Sequence, residues 1–137
     1  GVHSYTYQSE FSNTKVLSKW APLQKVTIKT EAAAQAPTVK SVKTSGQGKT
    51  RNTTVSFKLP KGATGTDWVL SKQVYKNDKG AYTGVGSYSY VVKNQTKSTI
   101  TFEKVRPGTY YLTGHAYTKG YVKNFTRWSK IRKIVIK

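Results

Sequence analysis

The chain has 137 residues, with 24 Lys and Arg against 5 Asp and Glu, a formal net charge of +19 and no cysteine. The missing thiols exclude disulfide frameworks, cysteine zinc sites and cysteine nucleophiles, and no run of about 18 apolar residues is present to cross a membrane. All the basic residues except Arg51, Arg106, Arg127 and Arg132 are lysines. They therefore act as point charges, without the fork that reads phosphates bidentately, and their summed field attracts polyanions and speeds their encounter.

The first thirty residues carry half of an internal repeat. Trp20-Ala21-Pro22-Leu23-Gln24-Lys25-Val26-Thr27-Ile28-Lys29 aligns without gaps on Trp128-Ser129-Lys130-Ile131-Arg132-Lys133-Ile134-Val135-Ile136-Lys137. Upstream, His3-Ser4-Tyr5-Thr6 matches His115-Ala116-Tyr117-Thr118, and the connection is four residues longer in the first copy. Residues 1–30 are therefore expected to be a β-hairpin equivalent to the last two strands of a preceding domain. The N-terminus lacks the charged-then-apolar pattern of a signal peptide and reads as a cut site. An isolated hairpin is marginal in water, so it is expected to pair with the following domain's edge or with another chain in a strand-swapped dimer.

Residues 31–36 have no strand pattern and read as a linker. From Pro37 onward strands and turns alternate. Thr38–Lys43 alternates apolar and polar residues, and Thr53–Leu59 places Val55, Phe57 and Leu59 on one face. Trp68–Tyr75 is a third strand, and Asn77-Asp78-Lys79-Gly80 signals a hairpin turn. Tyr82–Lys93 returns from it, weakened by Gly84 and Gly86. Ser98–Val105, Thr109–Thr118 and Ile131–Lys137 complete seven strands, and no segment sustains helical periodicity. The pattern predicts an all-β, seven-stranded antiparallel sandwich over residues 37–137.

Val105-Arg106-Pro107-Gly108-Thr109-Tyr110-Tyr111-Leu112 resembles the turn and penultimate strand of fibronectin type III domains. Trp128-Ser129-Lys130-Ile131-Arg132-Lys133-Ile134 looks like the entry to the final strand in such domains from secreted and surface proteins of Gram-positive, clostridia-like bacteria. Gly62-Ala63-Thr64-Gly65 fits the same group. The resemblance implies an Ig-like sandwich in which Tyr110 bonds backbone upstream, Leu112, Gly114 and Ala116 face the core, and Tyr111 faces outward. Phe57 stands where the second strand often carries Trp, and Trp68 supplies the large aromatic on the third strand.

The acids are Glu10, Glu31, Asp67, Asp78 and Glu103, with no two in a shared motif; paired-carboxylate chemistry needs two that converge. His3 and His115 occupy equivalent repeat positions, which favours a structural role, and two histidines without cysteine make a poor metal set. No Gly-x-Ser-x-Gly elbow or phosphate-binding loop is present. No catalytic residue, metal or cofactor is expected.

Ten Tyr and three Trp exceed the needs of one small core. The candidate ligand-binding residues are Tyr75, Tyr82, Tyr88, Tyr90, Tyr121 and Trp128. Tyr88 and Tyr90 are expected to share one face, and Trp128, between Arg127 and Lys130, to form a cation–π stack. The reading that follows is a non-catalytic spacer or binding module of a larger secreted or cell-wall protein, attracted to anionic wall polymer and contacting neighbouring domains of that protein. One alternative is a carbohydrate-binding module built on the Tyr-rich hairpin. Another is a nucleic-acid or polyanion binder, since basic charge interleaved with aromatics is the profile of single-strand binders; the shortage of Arg and the lack of any known nucleic-acid motif weigh against it.

Overall fold

The computed structural model describes residues 5–7, 15–17, 21–22 and 35–137. The chain divides into two compact units, Gly1–Thr30 and Glu31–Lys137. His3, Glu10, Trp20, Glu31 and most of the 31–36 linker lie outside the described residues, as does the expected pairing or swapping of residues 1–30. All regular structure among the described residues is β-strand, and all pairing is antiparallel.

In the first unit β1 (Tyr5–Tyr7) pairs with β2 (Lys15–Leu17) in the register Tyr5 to Leu17, Thr6 to Val16 and Tyr7 to Lys15. The second unit contains β3 (Thr38–Ser45), β4 (Arg51–Lys58), β5 (Gly65–Ser71), β6 (Val74–Lys76) and β7 (Tyr82–Val85). It continues with β8 (Tyr88–Gln95), β9 (Thr99–Val105), β10 (Gly108–Lys119), β11 (Lys123–Phe125) and β12 (Arg132–Ile136). β10 pairs with β11 in the register Tyr117 to Phe125, Thr118 to Asn124 and Lys119 to Lys123. Leu17 and Phe125 both lie three residues before the repeated Trp. The two hairpins therefore share one register, and the additional four residues of the first copy fall between β1 and β2.

β3, β4 and β9 form one sheet. β8, β5 and β10 form a second, whose far edge is shared by β11 and β12, each pairing with a different part of β10. β6 and β7 make a separate two-stranded ribbon. The alternation read from the sequence sets the inner faces. Val55 and Phe57 of β4 and Ile100, Phe102 and Val105 of β9 meet Trp68 and Leu70 of β5, Tyr110 and Leu112 of β10, and Ile134 and Ile136 of β12 in one buried cluster. Trp68 is fully buried, with its ring centroid 4.6 Å from that of Phe57, and its indole N–H donates to Thr66 Oγ1 at 3.0 Å. A Cβ at Gly114 would lie about 2.4 Å from Trp68 Cδ2, so the absent side chain is the space the indole occupies.

Two expected strands are each divided. Trp68–Tyr75 becomes β5 and β6 because Ser71 ends the ladder. Its hydroxyl accepts from Gln73 N at 3.0 Å and donates to Ser87 O at 2.8 Å, drawing the chain into a local turn. Tyr82–Lys93 becomes β7 and β8, parted at Gly86, whose N–H donates to Gln73 O and where a Cβ would collide with the Gln73 side chain. The turn at Asn77–Gly80 forms as expected. Gly80 has φ of 77°, and Asn77 Oδ1 accepts from Lys79 N and Ala81 N, both at 3.0 Å.

Tyr110 is fully buried, and its hydroxyl donates to Arg106 O at 2.9 Å. The Tyr90 ring meets it edge-on at 5.8 Å, and Tyr90 Oη accepts from Arg106 N at 3.1 Å. Burial, reinforced by the neighbouring Tyr90 phenol, raises the Tyr110 phenol above its ordinary value, while Arg106 pulls the other way. The folded state therefore holds this proton more tightly than the unfolded chain. Its contribution is complete below about pH 10, the unfolded value, and is lost as pH rises through the higher folded value. Tyr110→Phe is expected to cost about 1 kcal/mol near neutrality and to flatten the alkaline fall in melting temperature. An equally steep fall above about pH 10 in the variant would contradict this.

Candidate ligand-binding groove

The sheet face opposite the core is shaped by the segment between β11 and β12. Residues 126–131 leave the regular ladder yet stay fastened to β10. Ser129 N donates to Gly114 O at 2.7 Å, Gly114 N donates to Ser129 Oγ at 3.0 Å, and Thr113 Oγ1 donates to Ser129 O at 2.9 Å. Three residues earlier, Thr126 N donates to Ala116 O at 2.9 Å and Ala116 N donates to Thr126 Oγ1 at 3.0 Å. Side chains thus replace strand partners, satisfying the buried backbone while throwing Trp128 outward over the sheet.

There Trp128 lies on His115, with ring centroids 4.1 Å apart and planes 16° from parallel. Phe125 stacks on the same imidazole at 4.5 Å and 25°. His115 Nε2 stands 3.4 Å from Asp67 Oδ2, and Asp67 Oδ1 accepts from Asn94 N at 2.7 Å. Asp67 anchors the ring edge, and Phe125 and Trp128 cover its faces. Among the described residues the imidazole meets Asp67 at its edge and the two rings on its faces, an arrangement that holds it against Trp128.

Trp128 forms one wall of an open groove of about 660 Å³, the opposite side being the β6–β7 turn and β7. Tyr82 and Tyr88 also line it. Tyr88 approaches Trp128 at 6.2 Å between centroids, and Tyr82 is braced edge-on by Tyr111 at 5.4 Å. All three lining aromatics are solvent-accessible: Tyr82 is 37% exposed, Tyr88 51% and Trp128 43%. Thr83, Val85, Lys130 and Ile131 add to the lining, with Thr113 and Ser129 at its base.

Of the six residues singled out in the sequence, the fold brings Tyr82, Tyr88 and Trp128 together. Tyr75 is exposed on β6 and Tyr121 is fully exposed beyond β10, and neither lines the groove. Tyr90 is turned to the core side. The expected common face for Tyr88 and Tyr90 is overturned by a register shift in the β5–β8 pairing, where Leu70 faces Tyr90 but the adjacent Ser71 faces Tyr88. The extra residue on β8 sends the two rings to opposite faces. The expected stack of Trp128 with Arg127 or Lys130 is likewise replaced by the stack on His115. Sequence reasoning gave His115 a structural role from its place in the repeat but not its partner Trp128, and it missed Thr113 and Ser129 as supports.

Scanned against protein-family models, curated proteins and solved structures, the chain matches none.

Proposed function

We propose that residues 37–137 are a fibronectin type III-like sandwich acting as a non-catalytic binding and spacer module of a secreted or cell-surface protein, and that its groove holds a polysaccharide strand. The fold part is supported by the strand order. β3-β4-β9 and β12-β10-β5-β8 correspond to the two sheets of such a sandwich, and the Tyr110 bond to Arg106 O corresponds to its tyrosine corner. The β6–β7 ribbon and the division of the last strand into β11 and β12 are additions to that plan.

The binding part rests on one observation: Tyr82, Tyr88 and Trp128 stand solvent-accessible along a single open groove, each braced from behind or beside by another ring. Preorganised aromatic faces match the apolar face of a pyranose ring and cost little entropy on binding. The lysine-rich surface adds a long-range attraction for anionic wall polymer, which weakens with salt over a Debye length of about 8 Å at 0.15 M.

The test is a titration of the full chain with a panel of neutral and acidic oligosaccharides, monitored by tryptophan emission and repeated with Trp128→Phe to identify the responding indole. A saturable change that is lost or altered in the variant is expected. Unchanged emission together with no retention on any immobilised glycan would sink the reading.

A further inference from the structure

We infer that the groove selects an acidic polysaccharide, one carrying carboxylates on its sugar rings, and that Lys130 is the groove residue that recognises the charge. The inference rests on the polysaccharide reading above and names its ligand class. It follows from the polar groups the groove offers. Neutral sugars present vicinal hydroxyls that both donate and accept, so a site for them needs acceptors as well as donors. Here, among the described residues, the lining carries no carboxylate or carboxamide to act as a strong acceptor, and two of its hydroxyls are already committed. Ser129 Oγ takes the Gly114 N–H, and the Thr113 hydroxyl is spent on Ser129 O. The remaining side-chain polar groups on the lining are the hydroxyls of Tyr82, Thr83 and Tyr88, which can each donate and accept, and the ammonium of Lys130, which only donates.

Among the described residues no carboxylate lines the groove. Asp67 is occupied by Asn94 N and His115. Glu103 lies on β9 in the other sheet. Asp78 sits in the turn between β6 and β7 and is flanked by Lys79. Beside the groove the Lys76 ammonium lies 5.7 Å over the Tyr82 ring, so a second cation adjoins an aromatic that a sugar would cover. Aromatic faces with ammonium groups at the rim and no opposing acid are complementary to a pyranose chain bearing anions. The complementarity is local, and so differs from the diffuse attraction of the surface as a whole.

The experiment compares an oligogalacturonate with its fully methyl-esterified form, which keeps the backbone and removes the charge, at about 0.15 M salt. A single-stranded homopolymeric DNA serves as a polyanion without pyranose rings. The acid is expected to bind roughly tenfold more tightly than the ester. Lys130→Gln should narrow that gap by up to about fivefold, the range of one solvent-exposed ion pair. A control removing two charges from the other sheet, Lys43→Gln with Lys58→Gln, should leave the gap unchanged.

Equal affinity for acid and ester overturns the inference and leaves the polysaccharide reading standing. A gap that Lys130→Gln and the control narrow equally, or DNA binding as tight as that of the acid and indifferent to Trp128→Ala, also overturns it, in favour of a general polyanion surface. If neither galacturonate form nor any neutral oligosaccharide binds, the polysaccharide reading fails, and the inference fails with it.

Discussion

Trp68→Ala is expected to be the most damaging single change in the second unit, costing about 3–5 kcal/mol. Trp68 is fully buried, packs on Phe57, and satisfies its indole N–H within its own strand at Thr66. Alanine would leave a cavity walled by strands of both sheets, which cannot collapse without breaking pairing. A domain of about this size holds only about 5–15 kcal/mol in total, so a melting temperature lower by roughly 15–30 °C is expected. Gly114→Ala attacks the same contact from the other side. It adds one methyl, yet that methyl would fall about 2.4 Å from the indole, and overpacking of this kind costs about 1–3 kcal/mol. The two sites should therefore couple. In a Trp68→Phe background the smaller ring makes room, and the penalty of Gly114→Ala should shrink by at least about 0.5 kcal/mol. Strictly additive losses in a denaturation cycle of the full chain would show that Gly114 is not reserved for the indole.

The largest effect on binding is expected from Trp128→Ala: at least a tenfold loss of glycan affinity, about 1.4 kcal/mol, with a much smaller loss of stability. Trp128 is 43% exposed and contributes to the fold mainly through its stack on His115, an aromatic contact of about 0.5–1.5 kcal/mol. His115 acts through Trp128, because it touches the indole but does not line the groove. His115→Ala should therefore weaken binding by less than Trp128→Ala and broaden the Trp128 emission, while His115→Phe, which restores a flat platform, should recover most of the affinity. If His115→Ala leaves affinity untouched, the stack does not position the ligand-facing indole. If Trp128→Ala melts the chain as severely as Trp68→Ala, Trp128 belongs to the structure rather than to a ligand site.

The core was the most legible part of the chain. Val55 and Phe57 share a face because strand side chains alternate, and the same rule places Ile100 with Phe102 and Leu112 with Tyr110; all six are buried together. The turn at Asn77–Gly80 was legible because Asn and Gly have specific local chemistry. The strand breaks were harder. Ser71 and Gly86 end their strands through contacts with Gln73 and Ser87, and nothing in the pattern of apolar residues marks those bonds.

The candidate site was legible only as a surplus of aromatics. Composition showed more Tyr and Trp than one core requires but not which of them would meet. Tyr88 and Tyr90 are two residues apart and would share a face in a regular strand; one inserted residue on β8 separates them, and that register belongs to the pairing with β5. Trp128 reaches the groove because Thr113, Ser129 and Thr126 replace ladder bonds along β10, and His115 is available to carry it because Asp67 on the neighbouring strand holds its edge. Local sequence therefore determined the β class, the inward faces, the turn and the repeated hairpin, all of which depend on alternation and on the backbone preferences of single residues. The groove depended on which strands became neighbours and in what register. Those are properties of residues far apart in the chain, and only the tertiary structure decided them.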